Sequence, residues 1–164
     1  VLPGVGNFGD AMENLNRYHL VQVIHEIVEK GTPFLGICLG LQILFERSEE
    51  SPGVEGLGLL KGEILRIPDK EGLKIPHMGW NSIHLQNEGR LFKGIPQESY
   101  VYFVHSYYLK AEEEEIIKAT TEYSTHIHAS VEKGNLFACQ FHPEKSSDLG
   151  LAILKNFAEI GEED

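Results

Sequence analysis

The stretch "PFLGICLGLQILF", Pro33 to Phe45, decides the fold because small residues interrupt its apolar run at alternate positions. These residues are Gly36, Cys38 and Gly40. A strand core prefers branched and aromatic side chains, and glycine weakens it, so the pattern predicts a sharp backbone turn after a short buried strand. Gly-x-Cys-x-Gly at a strand-to-helix junction has the form of a nucleophile elbow, in which flanking glycines let neighbouring backbone come close.

Two interpretations of Cys38 compete at this turn. A lone cysteine is more often a small buried hydrophobe than a nucleophile, so the motif needs support from other residues. At an elbow, the N-terminus of the following helix places free N–H groups and the positive end of its dipole near the sulfur. We therefore expect the pKa of the Cys38 thiol to be lowered from about 8.5 toward the thiolate range.

The segments around the elbow are typical of alternating strands and helices. Val1 and Leu2 have the character of the end of a buried strand, and the glycine-rich turn that follows leads into a helix capped by Asp10. Apolar residues at helical spacing extend this helix to a glycine cap at Gly31. The run after Gly31 predicts a short parallel strand and then a second helix.

The second half of the chain changes to short β-prone runs. The turn "EKGN", Glu132 to Asn135, predicts a hairpin, and a final helix begins at Ser146 or Ser147. Because no repeat or interdomain linker is found, the sequence predicts one domain over residues 1–164. We expect an α/β fold in which helices flank a parallel central sheet with an antiparallel β addition. The β-prone runs are "GEILRI", "NSIHL", "SYVYFVHSYYL", "EIIKATTEY" and "THIHASVEKGNLFACQFH".

Charge and cysteine content exclude several classes of function. The net charge is −11 and no basic stripe is present, so nucleic acid is not an expected partner. Two cysteines are too few for a disulfide framework, which favours a reducing, cytoplasmic compartment. No apolar run approaches the roughly 20 residues needed to span a bilayer, so no membrane association is expected.

The histidines other than His142 show no metal-ligand spacing. His126 and His128 lie two residues apart, with no cysteine or carboxylate cluster beside them. We therefore expect no metal and no cofactor, and we expect these histidines to be surface residues. They are His19, His25, His77, His84, His105, His126 and His128.

A base and an orienting group for the thiol are found in "QFHPEKS". On an extended backbone His142 and Glu144 project to the same face, so Glu144 accepts from one imidazole nitrogen while the other nitrogen faces the sulfur. Cys139 lies three residues before His142, so on a regular strand its side chain points to the other side of the sheet. We interpret it as a packing residue.

The segment "LPGVG", Leu2 to Gly6, is a candidate oxyanion hole. A glycine-rich strand end whose backbone can change orientation can donate N–H groups to a tetrahedral intermediate. Val5 and Gly6 would act there together with the amide of Leu39. Taken alone the signal is weak, because most such strings are turns.

Five motifs together carry a resemblance that spans the whole chain. In order, "PGVGNFGDAM", "GICLGLQ", "PHMGWN", "YFVHSYY" and "QFHPEKS" resemble class I glutamine amidotransferases, and most closely the glutaminase subunits of imidazole glycerol phosphate synthase. The resemblance implies hydrolysis of glutamine to glutamate. It also implies that the ammonia passes through a channel to a (β/α)8 cyclase partner, which makes imidazole glycerol phosphate and AICAR in histidine biosynthesis.

The resemblance also implies roles for individual residues. Cys38 would be the nucleophile, His142 the general base and acid, and Glu144 its orienting group. The residues that would hold glutamine are Gly6, Gln42, Glu50, Ser106 and Tyr107. Those that would face the partner are Trp80, Tyr102 and Lys145, although from the residues alone they are interpreted as core or edge aromatics and a solvated charge.

One departure from the family pattern concerns the beginning of the chain. The family fold starts with a further strand, helix and strand that carry a "DYGMGN"-like turn, and this sequence lacks them. The resemblance therefore implies an N-terminally incomplete family fold. We expect Phe34 to Ile37 to be left with unpaired backbone groups on one side.

Three alternatives stay open. A sister amidotransferase of the anthranilate, carbamoyl phosphate or guanylate pathway would share the triad, but the regions around Trp80 and Lys145 argue against it. A cysteine hydrolase of the α/β-hydrolase type is disfavoured because Glu144 follows His142 in the chain. A non-catalytic relative would only bind its partner. Ammonia release from glutamine with and without the cyclase separates them.

Overall fold

The computed structural model describes residues 1–162, which form four helices and nine strands. The helices are α1 (Phe8–Arg17), α2 (Leu20–Glu29), α3 (Leu39–Gln42) and α4 (Ser147–Glu162). The strands are β1 (Phe34–Ile37), β2 (Arg47–Ser48), β3 (Gly62–Arg66), β4 (His77–Leu85), β5 (Ser99–His105), β6 (Tyr107–Ala111), β7 (Ile117–Tyr123), β8 (Thr125–Lys133) and β9 (Leu136–Cys139). Within residues 1–162, no helix combines the length and apolar character needed to cross a membrane.

The strands form two sheets. The larger has six strands in the order β1-β9-β8-β7-β4-β5, and the smaller has three in the order β2-β3-β6. β1 pairs with β9 in parallel, whereas the other pairs of the larger sheet are antiparallel. The antiparallel addition therefore makes up most of the larger sheet, and its parallel part is the segment that leads into the elbow.

The outer side of β1 is occupied by the N-terminal segment. The N–H of Leu2 donates to the carbonyl of Leu35 at 2.7 Å, and the N–H of Ile37 donates to the carbonyl of Leu2 at 3.0 Å. The expectation that this side of β1 would be unpaired is therefore wrong for these two groups, although the pairing is a single bridge and not a full strand. A single residue in parallel register satisfies two backbone groups of a strand that is buried throughout.

The first predicted helix is two helices, because the chain breaks at His19, which adopts a left-handed conformation with φ 57°. The N-cap of α1 is Asn7 and not Asp10: the Asn7 side chain accepts from the Asp10 N–H at 3.2 Å. The "EKGN" hairpin is confirmed between β8 and β9, with Gly134 at φ 59°. The final helix begins at Ser147, one of its two predicted starts.

The alternation of side chains along β1 divides the core into two parts. Phe34 packs into a cluster with residues of α1 and α2, whereas Leu35 and Ile37 pack into a second cluster with residues of α4. Successive side chains of a strand point to opposite faces, so both sides of β1 are covered. The end of β1, where Cys38 lies, is thus held between two packed layers.

The elbow requires glycine at position 40. A Cβ atom there would lie 1.9 Å from the carbonyl oxygen of Leu2, far inside van der Waals contact. We expect Gly40→Ala to lower the free energy of unfolding by more than about 2 kcal/mol, because backbone on both sides must shift. Urea denaturation measures this change.

A matched control is Gly161→Ala in α4, where an added Cβ meets nothing within 4 Å. We expect that variant to change the free energy of unfolding by no more than about 1 kcal/mol, since only helix propensity is altered. Equal urea midpoints for Gly40→Ala and the unmodified chain would show that the elbow is not tightly packed.

Candidate active site

Cys38 lies on the sharp turn that the glycine spacing predicts. Its backbone has φ 57° and ψ −109°, which is strained for a residue with a side chain. A Cβ atom at Gly36 would lie 2.7 Å from the carbonyl oxygen of Gly40, so the turn can close only with glycine there. The strain places the sulfur at the junction of β1 and α3.

The thiol of Cys38 is protonated in this conformation, contrary to the expectation from the helix dipole. Burial raises its pKa to about 11, whereas hydrogen bonds from the Leu39 N–H and the Gln140 amide act in the opposite direction. α3 has only four residues, so its dipole is small. The thiol donates to the carbonyl of Val104 at 3.8 Å.

His142 and Glu144 form the pair that the sequence predicts. Nδ1 of His142 lies 2.5 Å from Oε1 of Glu144. The backbone there is a 3-10 helix, Pro143–Lys145, and not an extended strand, and this turn brings the carboxylate back to the imidazole. Nε2 of His142 is buried and has no hydrogen-bond partner within residues 1–162, so the expected contact between this nitrogen and the Cys38 sulfur is not a hydrogen bond in this conformation.

A cavity of about 240 Å³ opens beside Cys38. It brings together the residues that the resemblance implied for glutamine binding and those predicted for the oxyanion hole. Val104 and His105 also line it, and neither was predicted. Glu50 lies at the N-terminus of α1, where its Oε1 accepts from the N–H of Phe8 at 2.7 Å. The lining residues are Val5, Gly6, Cys38, Leu39, Gln42, Glu50, Val104, His105, Ser106 and Tyr107.

The candidate oxyanion hole is closed in this conformation. The N–H of Leu39 donates to the carbonyl of Gly4 at 3.3 Å and therefore does not point into the cavity as a free donor. Val5 is largely exposed and Gly6 has φ 109°, a conformation that glycine adopts without strain. Rotation of the peptide between Gly4 and Val5 would remove this acceptor and release the Leu39 donor.

Two of the three residues assigned to the partner, Trp80 and Tyr102, lie on an exposed aromatic face, which we define as Met78, Trp80, Tyr100 and the half-buried Tyr102. Trp80 is 53% exposed and packs edge-to-face on Tyr102, with ring centroids 6.0 Å apart. Of the two interpretations from the residues alone, core or edge aromatic, the core one is wrong for Trp80, which lies where β4 pairs with β5 but not with β7. Lys145 is exposed, as expected for a solvated charge.

β5 is hydrogen-bonded through Tyr102 to the segment that carries His142 and Ser146. Its carbonyl accepts from the N–H of His142 at 3.0 Å, and its N–H donates to Oγ of Ser146 at 3.0 Å. A strand with an exposed aromatic side chain thus fixes the backbone of the candidate base.

Two of the histidines expected at the surface are buried beside the cavity. Nδ1 of His77 lies 3.0 Å from Nε2 of His105, and His105 lines the cavity. Burial lowers the pKa of His77 to about 4 and that of His105 to about 3, so both are neutral near pH 7. The sequence carried no spacing signal for this pair, because its members come from different strands.

Sequence reasoning also missed Gln140 as a residue of the site, although its spacing from His142 could have indicated it. It lies two residues before His142, so an extended backbone directs both side chains to one face. Nε2 of Gln140 donates to Sγ of Cys38 at 3.7 Å. The packing role of Cys139 is confirmed, since that residue is fully buried in the core.

The fold and the site together define a class of enzyme. A thiol on a strained elbow, a histidine with a free nitrogen and a carboxylate on the other nitrogen form a site for acyl transfer through a thioester. The chain belongs to the class-I glutamine amidotransferase family, whose model matches residues 1–160.

Curated relatives with about half of their residues identical to this chain share one name, "Imidazole glycerol phosphate synthase subunit HisH". The protein of Moorella thermoacetica is 55% identical over 98% of this chain and 75% of its own length. That of Methanocaldococcus jannaschii is 52% identical over 98% of this chain and 79% of its own length.

Solved structures bear out the predicted fold class. A crystal structure of a glutamine amidotransferase has a TM-score of 0.71 at 20% identity and covers 98% of this chain and 77% of its own. A glutamine amidotransferase of Thermotoga maritima has a TM-score of 0.62 at 21% identity, over 98% of this chain and 62% of its own. These two likenesses concern the fold alone.

The electrostatics of the resting site predict slow thiol chemistry. With the pKa of Cys38 at about 11, the thiolate fraction near pH 7.5 is roughly 100-fold below that of a free cysteine. We expect iodoacetamide to alkylate Cys38 of the isolated chain at least about tenfold more slowly than free cysteine, with a rate that rises up to about pH 11. Mass spectrometry measures the modification.

The control is Cys38→Ser, in which only Cys139 remains. Burial raises the pKa of Cys139 to about 12, so almost no label should be incorporated. A Cys38 that reacts faster than free cysteine at pH 7.5 would contradict the resting state described by the structure.

Proposed function

We propose that this chain is the glutaminase subunit of an imidazole glycerol phosphate synthase. It hydrolyses glutamine to glutamate and ammonia, and the ammonia passes to a cyclase partner in histidine biosynthesis. The observation that carries the proposal is the cavity of about 240 Å³ beside Cys38, which is lined by Gln42, Glu50, Ser106 and Tyr107. Relatives named as that subunit at 50–55% identity favour this pathway over the sister amidotransferases.

The first half of the reaction forms a thioester. Sγ of Cys38 attacks the side-chain amide carbon of glutamine as the thiol proton passes to Nε2 of His142. Glu144 holds the other nitrogen as N–H donor and stabilises the imidazolium that forms. His142 then returns its proton to the amide nitrogen, which leaves as ammonia.

The second half consumes water. His142 takes a proton from a water molecule that attacks the thioester carbon, and the carbon–sulfur bond breaks with the proton returned to Cys38. The products are glutamate and the regenerated thiol, so one water is consumed for each ammonia released. Both tetrahedral intermediates need N–H donors for their oxyanion, which Leu39 and the segment Val5–Gly6 supply after the peptide rotation.

The exposed aromatic face is the docking site for the (β/α)8 cyclase. Large aromatic side chains that are exposed in a single chain and adjacent to one another are typical anchors of protein interfaces. Lys145 follows the catalytic Glu144 directly, so this face continues toward the site where ammonia is released. Trp80, Tyr102 and Lys145 are its assigned contacts.

Residues 1–164 act as one domain in this proposal, and the protein works in the cytoplasm. Two free, buried thiols, Cys38 and Cys139, are consistent with a reducing compartment.

Removal of the nucleophile separates glutamine hydrolysis in this chain from the cyclase reaction in its partner. We expect Cys38→Ser to lower glutamine-dependent synthesis at least about 10³-fold and to leave ammonia-dependent synthesis unchanged, because the cyclase chemistry lies in the partner. Product formation from the nucleotide substrate, with glutamine or ammonium salt as nitrogen source, measures both rates.

Substitutions of His142 and Glu144 distinguish the role of the base from that of its orienting group. His142→Ala should be about as damaging as Cys38→Ser, since the groups act as one unit, whereas Glu144→Gln should keep more activity. Retained glutaminase activity in Cys38→Ser would overturn the assignment, and an equal loss of ammonia-dependent synthesis would contradict the separation of the two reactions.

The closed oxyanion hole predicts dependence on the partner. We expect the chain without its partner to be a poor glutaminase and the complex with nucleotide substrate to be roughly 10²- to 10³-fold faster, because the rotation frees the Leu39 donor. Glutamate release measured alone, with the cyclase, and with cyclase and nucleotide tests this. An isolated chain that matches the rate of the full complex would disprove the coupling.

A further inference from the structure

A continuous series of polar groups, half-buried at its outer end and buried along the rest, leads from β4 to the sulfur of Cys38, and the triad chemistry leaves it unused. We call it the polar chain and define it by its ends, Asn81 and Cys38. It begins beneath the exposed aromatic face, since Asn81 follows Trp80 directly. It ends at the atom that attacks glutamine.

The half nearest the nucleophile consists of two glutamines and one backbone carbonyl. Nε2 of Gln140 donates to Sγ of Cys38 at 3.7 Å, and Nε2 of Gln42 donates to Oε1 of Gln140 at 3.1 Å. The same Gln42 amide donates to the carbonyl of Tyr107 at 3.0 Å. Gln42 thus connects the pocket wall at Tyr107 to Gln140.

The distant half consists of the two buried histidines and Asn81. Nδ1 of His105 lies 2.8 Å from the carbonyl of Tyr107, and Nε2 of His105 lies 3.0 Å from Nδ1 of His77. Nε2 of His77 lies 3.4 Å from Nδ2 of Asn81. Tyr107 is therefore where the two halves meet.

The Tyr107 carbonyl determines the direction of every bond, because a carbonyl can only accept. On one side, Gln42 must turn its amide nitrogen toward it, so Gln140 must turn its oxygen toward Gln42 and its nitrogen toward Cys38. On the other side, Nδ1 of His105 must carry the hydrogen, so its Nε2 accepts from Nδ1 of His77. One acceptor thus fixes both amide orientations and both tautomers.

Burial removes water as a competing partner. Gln140 is fully buried, and Gln42, His77 and His105 are at most 6% exposed. An alternative orientation of any one member would leave a buried donor or acceptor without a partner, which is costly. The polar chain is therefore held in a single arrangement.

We propose that Gln140 is a further catalytic residue of this glutaminase, the amide donor that stabilises the Cys38 thiolate. His77 and His105 are positioning residues that hold the Tyr107 carbonyl in place, and this carbonyl orients Gln42 and, through Gln42, Gln140. The proposal rests on the proposed function and adds a role that the triad does not supply. A donor to sulfur favours the charged form, which burial opposes.

Gln140 acts among few other groups that influence the sulfur. Glu144 and Lys145 from the catalytic loop act on it with opposite signs, and the Leu39 N–H favours the thiolate. His105 on β5 is neutral, so it does not oppose the positive charge that forms on His142 during proton transfer. The Gln140 amide is the uncharged side-chain donor of this set.

The test uses the complex with the cyclase and its nucleotide substrate. Gln140→Met keeps the length of the side chain and removes the donor. We expect kcat for glutamine hydrolysis to fall about tenfold or more, with KM changed less than about threefold. We expect the rate of Cys38 alkylation by iodoacetamide at pH 8.5 to fall about tenfold, since the thiolate fraction falls with each unit of raised pKa.

The matched control is Ser130→Ala, which removes a buried hydroxyl that lies 3.8 Å from the sulfur of the other cysteine, Cys139. Its kcat and its Cys38 alkylation rate should equal those of the unmodified complex. Circular dichroism of each variant and its co-elution with the cyclase report that it is folded and assembled. Unchanged alkylation and kcat in a folded Gln140→Met would overturn the proposal, and so would a change in KM alone.

The positioning role is tested at His77, which does not line the cavity. His77→Phe removes the donor to His105, and we expect kcat to fall about threefold with KM unchanged. His77→Asn places an amide nitrogen near the position of Nδ1 and can still donate to His105, and we expect it to recover most of that loss. Equal kcat for the two variants, whether both low or both normal, would show that the histidines do not orient Gln140.

The outcomes separate this inference from the proposed function. If the unmodified complex releases no glutamate from glutamine, both fail. If it is active and Cys38→Ser is inactive, while Gln140→Met keeps the kcat and alkylation rate of the unmodified complex, the glutaminase assignment stands and the role of Gln140 falls.

Discussion

The backbone of Cys38, held at φ 57°, is the constraint on which the rest of the structure depends. A residue with a side chain occupies this conformation only when its surroundings over-determine it. Here they consist of a strand buried on both faces, the bridge from Leu2, and glycine at positions 36 and 40. Because this packing is tight, the sulfur has a defined position relative to the cavity and to the loop that carries His142.

The same packing has an electrostatic consequence. A sulfur held by the core is poorly solvated, and its pKa rises to about 11, well above neutral pH. A longer helix would offset this through its dipole, but α3 ends after four residues. The thiolate therefore depends on individual hydrogen-bond donors to the sulfur. A site of this kind is inactive at rest and becomes active when a few hydrogen bonds change.

The local features of the site could be predicted from the sequence and the distant ones could not. The elbow and the His142–Glu144 pair depend on residues close together in the chain, although the pair meets through a 3-10 turn and not on the extended backbone that we expected. The burial of His77 depends on its stacking between Phe103 and Tyr123, which come from two other strands. The pairing of Leu2 with β1 likewise depends on which segments meet, and no spacing within either segment reports it.

Strands β4 and β5 connect the exposed aromatic face to the candidate active site, because their successive side chains point alternately to the two. Trp80 and Tyr102 are register partners on the exposed side, and His77 and His105 are register partners on the buried side. A docked partner that twists strands β4 and β5 must therefore displace the Trp80–Tyr102 pair and the His77–His105 pair together. The two faces of a strand cannot turn independently. The buried pair is hydrogen-bonded to Tyr107 in the cavity wall, and the backbone of Tyr102 to that of His142. A displacement of the outer face thus reaches the cavity and the base by two separate routes.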